Sequence, residues 1–451
     1  MVKLFGVIAF FCALNSFAIY FPPSIDRGEG RSGKAVFVDF LSANYKITYD
    51  LGNKKVWAKS LITFIMPSSG FPLFDLVPEP KNVKLNGKDV TSSLLPFPNV
   101  TTMRVVDSYL ENGEYTLEME HEITANVKFS FGNEVRSAFW TDDLHDRGFL
   151  ELYLPSNLEY DQYAMEIEVK VEGASKDYDL ITNGAIEKRG TNDFNVKYPE
   201  YFNASSIYYH LMPSGAIPKI EEKYTTIDGR EVPLIIYSNG TLLLYKQKAL
   251  TTLGELEKDY GPWPHKKIII YGGGYGGGME YCGATETDLN SLGHELTHSY
   301  FARGVMPAQG NSGWIDEAMA SWRDGGYQQY SQDNLTATRM AGHSVYQRQT
   351  DGAAYSSGMR FLGHLDQKFS AQGGLKKFMR FYFEKNLFNP YLTQTFEQDL
   401  DSYFATDLGV LFGRYIYGTS MDDGSYLPLK SFKSDNPVHR IRSKSELLEL
   451  L

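Results

Sequence analysis

Through most of its first half the chain alternates apolar and polar residues with a period of two. Met165-Glu166-Ile167-Glu168-Val169-Lys170-Val171 is the strictest run, and residues 45–49, 56–65 and 115–120 repeat the pattern. Successive side chains on a strand point to opposite faces, so these runs predict strands with one face buried and one face wet. Gly52-Asn53, Asn86-Gly87 and Asn112-Gly113 separate them with residues that suit tight turns. Residues from about 35 to 212 therefore read as all-β, and 213–218, bounded by two prolines, read as a linker.

Beyond the linker the periodicity changes. Residues 232–237 read as a strand, 242–260 as a helix, and Lys267-Ile268-Ile269-Ile270-Tyr271 as a buried strand running into glycines. Asp288, Asn290 and Ser291 are helix-start residues ahead of a short apolar-periodic segment, and 314–322 is a second one. Beyond Asp324 the chain reads as helical. Phe361, Leu362, Leu365 and Phe369 share one side, Gly373-Gly374 stops that helix, and 375–384 and 395–404 follow as two more. The pattern predicts an α+β multidomain chain, with a β domain over 19–212 and a mixed α/β, then α-helical, domain over 213–451.

Residues 1–18 change the picture at the start. Lys3, an apolar run over 4–14 and Ser16-Phe17-Ala18 read as an export signal, too short to span a bilayer comfortably. No later segment is apolar enough to cross, so the expectation is a secreted or periplasmic protein with no transmembrane segment after cleavage. The chain has 42% hydrophobic residues, ample for a large core, and a formal net charge of −11 with no Lys/Arg cluster. That charge argues against nucleic acid or an anionic membrane as a partner. Cys12 falls in the signal, which leaves Cys282 alone, without a disulfide and read as a small buried side chain rather than a nucleophile. Asn99, Asn203, Asn239 and Asn334 head glycosylation sequons.

The chemistry concentrates in His294-Glu295-Leu296-Thr297-His298, with eighteen residues between His298 and Glu317. Residues four apart share a helix face, so His294 and His298 offer two imidazole nitrogens to one ion. Zn²⁺ takes His nitrogen and carboxylate oxygen in a tetrahedral shell. Glu317, on a following helix, is placed to be the third ligand, while Glu295 points to another azimuth and is the natural general base. Two histidines at helical spacing are more often plain surface or core residues. Here the helix-start residues, the second apolar segment around Glu317 and the upstream glycines converge on the metal reading. Gly272, Gly274 and Gly277 also satisfy G-x-G-x-x-G, but no Lys-Ser/Thr follows. Glycines at a strand end instead let a substrate backbone approach closely.

At these residues the sequence resembles the gluzincin zinc aminopeptidases, the family of membrane alanyl aminopeptidase and leukotriene hydrolase. The family's G-A-M-E-N motif appears as Gly277-Gly278-Met279-Glu280-Tyr281, and its W-L-N-E-G as Trp314-Ile315-Asp316-Glu317-Ala318. The resemblance implies a saddle-like β domain, a thermolysin-like catalytic domain, one Zn²⁺ per chain and removal of N-terminal residues from peptides with a free N-terminus. It assigns the substrate α-amine to Glu280 and sets Gly277, Gly278 and Met279 beside the substrate. Pro155-Ser156-Asn157-Leu158-Glu159-Tyr160 stands where the family has a P-C-x-D-E-P-like stretch, which makes Glu159 a second amine-pocket residue. Tyr355 and Gly358 keep the frame of the family's Y-E-K-G, whose tyrosine helps hold the tetrahedral intermediate, with Tyr382 as the alternative. Little follows Asp422, which implies a short form lacking the long helical C-terminal domain of many members. Two other readings stay open: an endopeptidase with the same metal site, and an idle metal-binding module that has no need of Glu295.

Overall fold

The computed structural model describes residues 22–28, 30–95, 102–130, 132–142, 144, 148–157, 159, 161–273, 277–346 and 349–419. The expected signal at 1–18, the Asn99 sequon, Gly274 and the tail after 419 lie outside the described residues.

The long alternating runs form the centre of an eight-stranded sheet. Strands β1 (Asp39–Asp50) and β2 (Lys55–Met66) make an antiparallel hairpin that closes on the Asp50–Lys55 pair. Its turn is tied by Asp50, whose carboxylate accepts from the Asn53 backbone N–H at 2.9 Å. Strand β3 (Gly113–Glu122) pairs antiparallel with β2, and β4 (Ala164–Glu172) pairs parallel with β1. In β4 the sequence pattern becomes a burial pattern: Met165, Ile167, Val169 and Val171 are buried, while the charged residues between them are not. Removing such side chains from water contributes about 1.5–3 kcal/mol each. A four-stranded sheet, which includes Glu134–Phe139 and Tyr209–Pro213, completes the side of this half that faces the rest of the chain.

The second half opens with a five-stranded sheet. Its strands are β5 (Lys219–Thr225), β6 (Glu231–Ser238), β7 (Ile268–Gly272), β8 (Gly278–Tyr281) and β9 (Ala284–Thr287), in the spatial order β5-β6-β7-β9-β8. Helix α1 (Leu242–Tyr260) is the crossover between the parallel β6 and β7. β8 doubles back antiparallel on β9 and so takes the sheet edge. Helices α2 (Leu292–Phe301), α3 (Trp314–Asp324), α4 (Met359–Lys368), α5 (Gly374–Asn386) and α6 (Thr393–Phe404) follow. They pack around buried Trp263, Trp314, Trp322, Phe361 and Phe378.

The expectation of helix throughout the stretch beyond Asp324 fails between α3 and α4. Gly325-Gly326 ends α3, with Gly326 at φ 68° and Tyr327 at φ 59°. Apart from one short turn at Gln332–Asn334, the described residues from 327 to 352 are non-helical. That stretch is polar and lacks the apolar period that would drive a helix onto the core. Ala354–Gly358 is a wide π-turn leading into α4.

The halves share a core: Ile181, Tyr208 and Met212 pack with Ile269, Met279, Tyr281 and Ala284. Among the described residues no helix is long and apolar enough to cross a membrane.

Candidate active site

Asp288 ties the glycine-rich strand to the start of α2. Its two carboxylate oxygens accept from the Gly277 N–H at 2.9 Å and the Ser291 N–H at 2.8 Å. One turn apart on α2, the His294 and His298 rings lie 4.8 Å apart between centroids. Glu317 on α3 brings Oε2 to 3.0 Å from His294 Nε2 and 3.6 Å from His298 Nε2. The three donor atoms lie within 4.8 Å of one another. Asp324 Oδ2 sits 2.9 Å from His294 Nδ1, which orients the ring with Nε2 toward Glu317.

This donor set fits a zinc ion. Two imidazole nitrogens and one carboxylate oxygen converge, one histidine is braced by an outer carboxylate, and the acids outnumber any fixed cation in the cluster. Burial disfavours charge on His294, yet the hydrogen bonds with Asp324 and Glu317 outweigh it and push the imidazole up to about 11. Burial likewise opposes ionisation of Glu317, but His298 and His294 hold it below the usual carboxylate range. The pocket calls for positive charge, and a metal ion supplies it while leaving both histidines neutral.

Two close approaches shape the walls. A Cβ on Gly278 would stand 2.6 Å from the Glu295 carboxyl, so β8 lies directly against the expected general base. A Cβ on Gly358 would stand 2.8 Å from that of Ala318, so the π-turn lies directly against α3. The turn delivers Tyr355, whose hydroxyl donates to Glu317 Oε1 at 2.8 Å and whose ring stacks on His294.

Because Gly278 meets Glu295, alternation along β8 puts Glu280 on the same side, toward α2, and Met279 on the other. Glu280 is buried and accepts from Arg303 Nη2 at 2.6 Å, while Arg303 Nη1 donates to Ser205 Oγ at 2.6 Å. The resemblance assigns a substrate amine to Glu280; in the structure that carboxylate also has a guanidinium partner.

Glu159 is the other residue that the resemblance places in the amine pocket. It is buried and feels Arg303 and Tyr391, but it is not among the described residues lining the cleft. The first half instead contributes Trp140, Thr141, Asp142 and Leu144, which follow the strand Glu134–Phe139.

The cleft has a volume of about 580 Å³ and brings together His294, His298, Glu317, Glu295, Tyr355, Glu280, Gly277, Gly278 and Met279. A larger open groove of about 840 Å³ on the charged face of the eight-stranded sheet holds none of them. Tyr382 is 2% exposed in the helical core and does not line the cleft. Cys282 is buried and its thiol is pushed up to about 12 by that burial, which removes it as a nucleophile. Asn203 is buried and accepts from Ser205 and Ser206, so its sequon is closed to modification in the folded chain.

Sequence reasoning missed Asp324, Arg303, Glu286 and the Trp140 loop. Asp324 carried a signal: it stands two turns after Glu317 on α3, hence on the same face. The other three carried none, because each reaches the site by contacts between distant elements.

Neither a protein-family sequence model nor a curated protein sequence matches the chain. Structure comparison does find relatives: the chain has the fold of the M1 zinc metallopeptidases. An M1 zinc metallopeptidase from Deinococcus radiodurans superposes with a TM-score of 0.64 at 14% identity, covering 89% of this chain and 97% of that one. A variant of that protein bound to a Tyr-Ser-Ala substrate gives 0.63 at 14% identity, covering 90% and 98%. Legionella pneumophila aminopeptidase A gives 0.63 at 11% identity, with 87% of this chain covered but only 50% of that one.

Proposed function

We propose that the chain is a zinc-dependent aminopeptidase that releases the first residue of peptides with a free N-terminus, exported by the signal at 1–18. The observation that carries this reading is the convergence of His294, His298 and Glu317 with Glu295 and Tyr355 in one cleft beside the sheet edge. The peptide held by the Deinococcus relative supports the substrate class.

His294, His298 and Glu317 would hold Zn²⁺, which would supply Lewis-acid activation of water and of the scissile carbonyl. Glu295 takes a proton from the attacking water and passes it to the leaving amine as the C–N bond breaks. Tyr355 turns its hydroxyl from Glu317 to the oxygen that becomes negative. β8, unpaired on its outer edge among the described residues, offers backbone groups to an extended substrate. Asp142, Glu280 and Asp288 line the same cleft, and among the described residues no Lys or Arg does. Such a wall favours a protonated amine.

One observation favours an endopeptidase: the charge of Glu280 is already answered by Arg303. The two readings separate on an aminoacyl-arylamide and its N-acetylated form. Acetylation removes the amine charge and leaves the scissile bond untouched. Cleavage of the free form alone is expected; equal cleavage, or internal cuts in capped peptides, assigns the endopeptidase.

A further inference from the structure

Glu286 is a cleft carboxylate for which the chemistry above has no task. It lies on β9 directly opposite Met279 of β8, so both side chains project from the same face of the sheet. That face is turned to the first half of the chain, where Met279 and Tyr281 pack with Tyr208. The opposite face carries Gly278 against Glu295, and Glu280 against Arg303. Met279 and Glu286 therefore form a separate wall of the cleft, across β8 from the groups that perform the hydrolysis.

Glu286 also differs from the other acids in its surroundings. Asp288 accepts two backbone N–H groups, Glu280 has Arg303, and Glu317 has His294 and Tyr355. Among the described residues no hydrogen-bond donor or cation answers Glu286. Burial alone pushes its carboxyl up to about 7, against the usual range near 4. Aromatic rings stand around it, with Tyr208 and Tyr281 near enough to feel its charge and 5.1 Å apart between centroids. A half-buried carboxylate that no described residue answers, beside tyrosine rings and open to a substrate cleft, is built to receive a cation on an apolar stem.

The orientation of the first substrate residue decides which cation. Its carbonyl belongs at the histidine cluster and its amine toward Glu280, both on the α2 side of β8. The four substituents of a tetrahedral Cα then turn the side chain to the other side, toward Met279 and Glu286. We propose that Glu286 determines specificity for a cationic first side chain, lysine or arginine, with Met279 flanking its aliphatic stem. This rests on the aminopeptidase reading for the direction of the substrate. The selection of a cation by Glu286 is its own content.

The test compares lysyl- and arginyl-arylamides with the norleucyl-arylamide, which has lysine's stem without its charge. A second arm measures calorimetric binding of lysinamide and norleucinamide to the zinc-loaded, full-length protein. The wild type should favour the lysyl over the norleucyl substrate by about 10–100-fold in kcat/KM, the scale for pairing an otherwise unanswered carboxylate. Glu286→Gln keeps the shape and should bring that ratio to within about threefold, and Glu286→Lys should move the preference to aspartyl and glutamyl substrates. An equal proportional loss on every substrate, or an unchanged ratio, overturns the proposal. If no arylamide is cleaved, the aminopeptidase reading falls, and the binding arm still decides Glu286. Tighter lysinamide binding that vanishes in Glu286→Gln upholds the selection of a cation; equal binding of the two amides overturns it.

Discussion

Arg303 donates to Glu280 at 2.6 Å across a contact from which water is nearly excluded, the two side chains being 3% and 5% exposed. Arg303 lies just past the end of α2, Glu280 lies on the edge strand β8, and the other arm of the guanidinium reaches Ser205 in the first half of the chain. One side chain thus pins three elements around the cleft and sets the direction of the Glu280 carboxylate.

Arg303→Met would leave that carboxylate buried without its partner. Breaking such a pair from one side costs about 3–5 kcal/mol. Urea unfolding should show a loss of that size, and the double variant with Glu280→Gln should recover part of it. Additive losses in the two single variants would show that the pair is not coupled.

The metal cluster predicts a graded response. His298→Ala should abolish tight zinc binding, because two remaining donors do not close a tetrahedral site. Asp324→Ala removes only the brace on His294 and should weaken affinity by about 10–100-fold. Competition with a chromogenic chelator measures both, and full zinc occupancy in His298→Ala would remove that residue from the ligand set.

Glu295→Gln separates the base from the ligands. The amide keeps the size of the side chain against Gly278 but accepts no proton. Zinc content should be unchanged while kcat falls by about 10²–10⁴-fold. Near-normal turnover would assign proton transfer to another group.

Tyr355→Phe removes one hydroxyl and keeps the ring that stacks on His294. If the hydroxyl stabilises the oxyanion, kcat and kcat/KM should fall together by about 10²–10³-fold with KM little changed. A rise in KM alone would make Tyr355 a binding residue.

Asp161 offers a test away from the site. It is buried beside Asp39, and burial first, then the neighbouring charge, raise its carboxyl well above the ordinary range. The folded state therefore holds a proton that the unfolded state releases near pH 4. Stability from this group is full below that pH and is lost as pH rises toward the folded value. Asp161→Asn should raise the melting temperature more at pH 8 than at pH 4. An equal shift at both would mean that Asp161 is already ionised in the folded chain.

The sequence by itself determined what depends on neighbours along the chain. Alternation at 165–171 placed β4, and the apolar stretch at 242–260 placed α1 at its observed bounds. Four-residue spacing put His294 and His298 on one face, and the family pattern brought in Glu317. These follow from the fixed periods of helix and strand, which a linear sequence records. Tertiary structure alone decided the rest. The expected helix at 327–352 had no apolar stripe to hold it, and the polar chain there stayed irregular. Glu159 stands in a motif-like stretch, and only the fold brings it near enough to Arg303 to raise the guanidinium's pKa. Glu286 carried no signal along the chain; only β8 folding back on β9 sets it opposite Met279. Arg303 finds Glu280 across a turn, a strand and a helix. Such contacts depend on how apolar faces far apart in sequence bury one another, and no spacing along the chain records that.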